Sequence, residues 1–476
     1  MQAQKIRANR IGLSLVVPLT VLLMSGFIRA EGHARIDPQI LSELEKSGES
    51  RFIIYMKEKA NLNAASVVSD WRLRGDIVFN ALRATAEISQ APLLEILREK
   101  SIAGNAAEVS PYWICNCVAV TGDSNTLRAV AGLSYVDQIS ANYEFLALDP
   151  NEVLEEVDGA PLALEWNVEK VRADQVWNTY GITGAGVTIG SMDTGVAWTH
   201  EALQRQYRGW NDGNPDHNYN WLDAVRGNPV PRDSQSHGTH TMGTMVGDNG
   251  AGRQIGVAPG AKWISVLTID GSTAFIEATH KGFQWMLAPT DLAGENPDPD
   301  QRPVAVNNSW GCFAGLCPYN EFIDDVDAWA SAGILAEFSA GNEGPRSSSM
   351  RWPGDYASSF TTGATQRDDT IWRSSSRGPA RDGSIKPNVS APGVNVMSSV
   401  PVNRYGLNSG TSMAGPHVVA IAALMLEANP ALSISDIQTI LQDTAIPYGT
   451  GRPNNDYGWG RVDALNAVEA ALATPR

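Results

Sequence analysis

The chain has 476 residues, too many for one ordinary hydrophobic core and suited to two domains behind a leader. Its hydrophobic content of 43% is that of a globular protein and excludes a mainly disordered chain. A formal net charge of −16 argues against nucleic acid and anionic membranes as partners and otherwise signals solubility.

Residues 1–30 read as a secretory signal. Lys5, Arg7 and Arg10 form a basic start, and Ile11 to Met24 is an apolar run broken by Pro18. The expectation is an exported protein cut after Ala30; an uncleaved anchor is the alternative. No later stretch reads as long and apolar enough to cross a membrane. The four cysteines fit an exported protein that does not depend on disulfides. Cys312 and Cys317 are spaced so that they could bridge. Cys115 and Cys117 fall on one face of an expected strand, where buried thiols are the simpler reading. No zinc spacing appears.

Residues 50–146 read as a small α+β domain. Arg51–Met56 is a strand, Pro92–Glu99 a short helix and Trp113–Val120 a second strand. Asp123 or Ser124 caps a helix carrying Leu127, Val130 and Leu133, and Val136–Ile139 is a third strand. Residues 147–165 are acidic with Pro150, Gly159 and Pro161, and read as a linker with a processing site.

From Trp166 to residue 476 short apolar strands alternate with helices. Val187–Met192, Trp263–Leu267, Val304–Asn307 and Ile334–Ser339 are the strands. Gly238–Val246, Phe275–Leu287, Phe322–Ala332 and Met413–Ala428 are the helices. The alternation predicts an α/β fold: a mostly parallel sheet with helices on both faces and active groups at the carboxyl ends of its strands. Residues 289–303 read as a polar surface loop.

Three segments carry chemistry. Asp193 ends an expected strand, His237 opens HGTHTMGT where a helix starts, and Ser412 lies in SGTSMAGPH at the mouth of an apolar helix. A serine hydroxyl needs an imidazole to take its proton, and the imidazole needs a carboxylate to fix its tautomer. Asn342, in SAGNEG after a strand, offers a second donor for an oxyanion beside the Ser412 N–H. The order Asp, His, Ser separates this set from the α/β-hydrolase and chymotrypsin orders. His237 and His240 form HxxH, but HExxH is absent, which argues against a catalytic metal.

At these residues the sequence resembles the subtilisin-like serine peptidases, or subtilases, over most of 166–476. MDTGV, HGTHTMGT, SAGNEG, GTSMAGPH and NDYGWGRVDALNAV carry the resemblance. VNNSWG, YRGW and APGAKWI look closest to the bacillopeptidase F branch. The resemblance implies an endopeptidase with Asp193, His237 and Ser412 as its triad and Asn342 as oxyanion donor. It implies that Ser309, Trp310 and Gly311 form an edge strand for protein and peptide substrates, with Ala340 and Gly341 walling the first specificity pocket. Residues 50–146 are similar to the subtilase propeptide, which would make them an intramolecular inhibitor; a non-inhibitory accessory domain is the alternative. No cofactor is implied for the chemistry, and a secreted monomer is expected. The strong calcium site of the family is in doubt, because His200–Leu203 lacks its aspartate and Gly250 replaces its asparagine. An inactive secreted binding protein and an esterase are the rival functions.

Overall fold

The computed structural model describes residues 34–149, 155–156, 164–312 and 317–475. The expected signal segment lies outside the described residues, as does most of the expected linker.

The N-terminal unit begins with helix α1 (Pro38–Ser47) and strand β1 (Ser50–Met56). Helix α2 (Trp71–Ile102), strands β2 (Ala106–Tyr112) and β3 (Cys117–Gly122), helix α3 (Ser124–Ala131) and strand β4 (Val136–Ala141) follow. Its sheet runs Arg35–Ile36, β4, β1, β3, β2, antiparallel except at the first pair. Asp123 caps α3 as expected, accepting from the amides of Asn125 and Thr126.

Three expectations fail here. The short helix expected at Pro92–Glu99 is the end of the 32-residue α2, which Asp70 caps by accepting from Leu73 N. Pro92 lies inside that helix, where the buried stripe of Val78, Phe79, Leu82, Leu93 and Leu97 outweighs the lost backbone bond. The strand expected from Trp113 begins only at Cys117. Residues 113–116 form the hairpin turn, with Asn116 at φ +47°. Cys115 therefore does not share a strand face with Cys117; the two form a disulfide rather than buried thiols. Cys312 and Cys317 are also bridged.

A last strand of this region, β5 (Glu144–Leu146), leaves the N-terminal sheet and joins the second unit. The second unit then supplies strand β6 (Thr188–Asp193), helix α4 (His237–Val246), strands β7 (Lys262–Leu267) and β8 (Thr273–Phe275) and helix α5 (Ile276–Leu287). Strand β9 (Ala305–Asn308), helix α6 (Ile323–Ala332) and strands β10 (Leu335–Ser339), β11 (Phe360–Thr365) and β12 (Val389–Pro392) come next. Helices α7 (Thr411–Ala428), α8 (Ile434–Asp443) and α9 (Ala464–Ala473) close the chain.

The main sheet is parallel, in the order β12, β11, β10, β9, β6, β7 and the short strand Trp221–Asp223. Its strands are nearly continuous buried runs, because helices cover both faces. Helix α7 is long and apolar enough to cross a membrane, contrary to the expectation that no later segment is. It is a core helix instead, buried over most of its length against the sheet and α4. The loop 289–303 is not all surface: Pro299 and Arg302 are buried where α2 lands on it.

Candidate active site

Parallel pairing puts the carboxyl ends of β6, β9 and β10 side by side. Asp193 ends the first, Ser309–Gly311 follow the second and Ala340–Asn342 follow the third. Helices α4 and α7 pack against one another, and each begins at this rim with a residue of the expected set.

Asp193 is fully buried. Its Oδ1 accepts from Thr194 N at 2.7 Å, and its Oδ2 from the Thr241 hydroxyl at 3.3 Å. His237 Nδ1 lies 2.7 Å from Asp193 Oδ1, so Nδ1–H donates to the carboxylate and Nε2 is the basic nitrogen. Gly238 must be glycine here: a Cβ on it would come within 2.1 Å of the Gly195 carbonyl oxygen.

A residue missed in the sequence organises this corner. Asp233 accepts from the Thr194 hydroxyl at 2.8 Å, from Gln235 N at 2.9 Å, and from Ser236 N and Thr239 N at 2.8 Å each. It thereby ties the turn after Asp193 to the first turn of α4. Burial raises its carboxyl above the usual range, against the pull of those donors. The only signal in the sequence was its position four residues before His237, which is not distinctive.

Ser412 is the second residue of α7, at the positive end of the helix. Its hydroxyl donates to the Ser309 carbonyl at 3.3 Å, and the Ser309 hydroxyl donates to the Ser412 carbonyl at 2.8 Å. Asn342 Oδ1 accepts from Thr411 N at 3.0 Å and from the Thr411 hydroxyl at 2.9 Å. With the amide oxygen held there, its NH2 faces the other way. His240 Nε2 is 3.1 Å from the carbonyls of Val396 and Gly406, and His417 is buried against Asn167. Burial lowers His417 to about 4. His417 stands away from the site, whereas His240 borders the cavity beside His237.

Ser309–Gly311 form an edge, and the chain's own backbone lies along it. Strand β5 pairs antiparallel with β8, Phe145 opposite Ala274 and Leu146 opposite Thr273. Beyond β5, Ala147 N donates to Ser272 O at 3.0 Å while Gly311 N donates to Ala147 O at 3.2 Å. An extended segment is thus clasped between β8 and the Ser309–Gly311 edge. Phe145 is buried, its ring 6.3 Å from Trp310 and 6.3 Å from Phe322. Leu148 and Asp149 then line a small cavity with His237, Gln235, Ser236 and Asn408. Across from Ser309–Gly311, Ala340 is buried and Gly341 sits at φ +102°. Arg351 and Glu343 lie between these two walls, paired through Arg351 Nε and Glu343 Oε1 at 2.7 Å. Neither was singled out in the sequence.

The 248–254 loop, where the sequence lacks the family's calcium asparagine, is occupied by an arginine. Arg205 Nη2 donates to the Asp248 carbonyl at 3.0 Å, and a Cβ on Gly250 would meet Arg205 Nη1 at 1.9 Å. A cationic guanidinium thus fills the loop, which does not suit a second cation. Elsewhere, Cys115, Cys117 and His280 bring ligand atoms within 4.8 Å of one another, but the two sulfurs are joined.

A parallel α/β sheet carrying an Asp–His pair, a helix-N-terminal serine and an edge strand at one rim defines a serine-peptidase type of site. The chain belongs to the subtilase family: the family model matches residues 184–460. It is 38% identical to bacillopeptidase F of Bacillus subtilis (strain 168), over 92% of this chain and 32% of that protein. It is 33% identical to subtilisin BL of Lederbergia lenta, over 64% of this chain and 99% of that one. Against serine protease AprX of Bacillus subtilis it is 32% identical, over 62% of this chain and 68% of that protein. The chain therefore spans about a third of the length of bacillopeptidase F but nearly all of a subtilisin.

Proposed function

We propose that the protein is a secreted serine endopeptidase made as a self-processing precursor, acting as a monomer without a cofactor. The observation that supports it most is the clasped segment. An extended peptide is hydrogen-bonded on both edges and runs to the rim that carries Asp193, His237 and Ser412, as a substrate backbone would.

In this reading His237 takes the proton of Ser412 as the hydroxyl attacks the scissile carbonyl, and Asp193 stabilises the imidazolium. The oxyanion is met by the Ser412 N–H and the Asn342 side-chain NH2, whose aim is set by Thr411. His237 then delivers its proton to the leaving amine. The acyl-enzyme is released when His237 activates a water in the same way.

Residues 50–146 act as the inhibitor, and the acidic linker up to about 165 holds the cut that frees the enzyme. Support comes from the acidic, Pro/Gly-containing sequence there. In this reading the Arg205 guanidinium takes the place of a calcium ion in the 248–254 loop, which its bond to the Asp248 carbonyl supports. The test is to express the wild type and Ser412→Ala in a host without other secreted proteases and read the N-termini. The wild type is expected to begin between Ala147 and Trp166, and the variant near Glu31. Normal trimming of the Ser412→Ala chain would refute self-processing.

A further inference from the structure

Arg351 lies between the two segments expected to wall the first specificity pocket. Gly311 on one wall and Gly341 on the other both face the side chain of Arg351. A Cβ on Gly311 would lie 2.8 Å from Arg351 Cβ and 3.1 Å from its Cδ. A Cβ on Gly341 would lie 2.9 Å from Arg351 Cγ and 2.6 Å from Glu343 Oε2. The arginine stem therefore threads between the two glycines, and the guanidinium is held beyond them by the Glu343 carboxylate. Arg351 N donates to Ala340 O at 3.1 Å and Cys312 N to Trp352 O at 2.8 Å, so residues 351–352 brace both walls. The Cys312–Cys317 bridge closes the loop next to them.

The clasped segment carries a residue of the matching charge toward the same rim. Ala147 is bonded to Gly311. Two residues further on, Asp149 lines the cavity beside His237, while Ser309 is bonded to Ser412. The residue that the clasped segment brings beside His237 is Asp149, an acid.

We propose that Arg351 makes the enzyme prefer aspartate or glutamate immediately before the scissile bond. Glu343 is the internal carboxylate that holds the guanidinium in place until a substrate carboxylate shares or replaces it. This rests on the endopeptidase reading above and names its substrate class. The Arg351 side chain is 6% exposed and that of Glu343 is 22%, so the acid is the partner with room to yield. An arriving carboxylate finds a planar, low-dielectric, bidentate donor. A large apolar side chain would collide with the stem and strip water from an ion pair. A basic one would meet like charge.

The experiment measures kcat/KM on peptides that differ only in the residue before the cut, with the competent fraction titrated by a sulfonyl fluoride. The wild type is expected to favour Asp or Glu over Leu, Phe and Lys by at least about tenfold. Arg351→Gly is expected to reverse that order in favour of Phe and Leu. Glu343→Gln is expected to strengthen the acidic preference, because a competing carboxylate is gone. A wild type that cuts best after Phe, Leu or Lys overturns the proposal, as does an Arg351→Gly enzyme that keeps the acidic preference. If Arg351→Gly does not titrate, Glu343→Gln decides: an acidic preference that stays level or falls overturns the proposal. No cleavage together with no labelling of the wild type overturns the endopeptidase reading as well. Labelling with cleavage after apolar residues overturns the pocket assignment alone.

Discussion

The two units bury their apolar surface in different ways. The core around α7 lies within the second unit, where Ile189, Trp263, Val389, Val418 and Leu424 share one cluster whose buried members, among the described residues, begin at Val168. The N-terminal sheet has a private core on one face only. Phe52, Ile54 and Met56 of β1 pack with Ile40, Leu93 and Leu127 of its own helices. Ile53 and Tyr55, pointing the other way, join Phe283, Phe322 and Trp329 of the second unit. One unit carries its core with it; the other finishes its core on its partner.

The polar groups of that shared face follow the same division. Arg51 Nε donates to Glu277 at 2.8 Å, and Gln284 accepts from Trp113 N at 2.7 Å. Tyr55 OH lies 2.9 Å from His280 Nε2 and also donates to Glu321, while His280 Nδ1 is 3.0 Å from Asp325. Helix α2 adds a further anchor. Trp71 Nε1 donates to Gly333 O at 3.1 Å, and Arg302 stacks 3.6 Å from the Trp71 ring centroid.

The comparison is broken most severely by removing the nucleophile. Ser412→Ala is expected to cut turnover on peptides by up to roughly a millionfold, yet to leave the precursor folded with both units docked. Peptide kinetics and a single cooperative urea transition check the two halves of that statement. Asn342→Ala is expected to cost roughly a hundredfold to a thousandfold in kcat with little change in KM. Phe145→Ala, in the Ser412→Ala background, should cost the docked tail about 3 kcal/mol, read as a lower urea midpoint.

Much of the catalytic unit was legible because its signals are local. MDTGV, HGTHTMGT and GTSMAGPH each combine a reactive side chain with small residues where a strand ends or a helix begins. The structure sets those residues at one rim. Asp233 and Arg351 were not legible, since each matters only through neighbours far along the chain. Pro92 misled for the opposite reason: a local breaker was overruled by the buried face of α2. Cys115 was misplaced because an apolar run hid a turn that Asn116 makes at positive φ.

Smaller effects depend on pH. Burial pushes His280 down, but Asp325 and Glu321 outweigh it and hold it up to about 10. Its folded value is raised, so its contribution is full below about 6.5 and is lost as pH rises through about 10. In the Ser412→Ala precursor the urea midpoint should fall over that window, and His280→Gln should flatten the slope. Glu337, beneath α7, is pushed to about 8 by burial, with Thr362 and Asn308 offsetting it only in part. The native state holds that proton more tightly than the unfolded chain. Its contribution is therefore lost as pH rises from about 4.5 to about 8. Glu337→Gln should raise Tm by a few degrees at pH 8 and leave it unchanged at pH 4, which scanning calorimetry would read.

The three anchors of the N-terminal unit, namely the tail β5, the sheet face and α2, have a consequence for timing. While the chain is continuous, each anchor meets its site at an effective concentration set by the tether, on the order of millimolar for short flexible connections. A cut between 149 and 164 removes the tether without removing any anchor. The severed unit would then stay on the enzyme in a concentrated sample and leave it on dilution. Activity would appear as a function of volume as much as of time, and a protein released into a large, dilute space would switch on by spreading out.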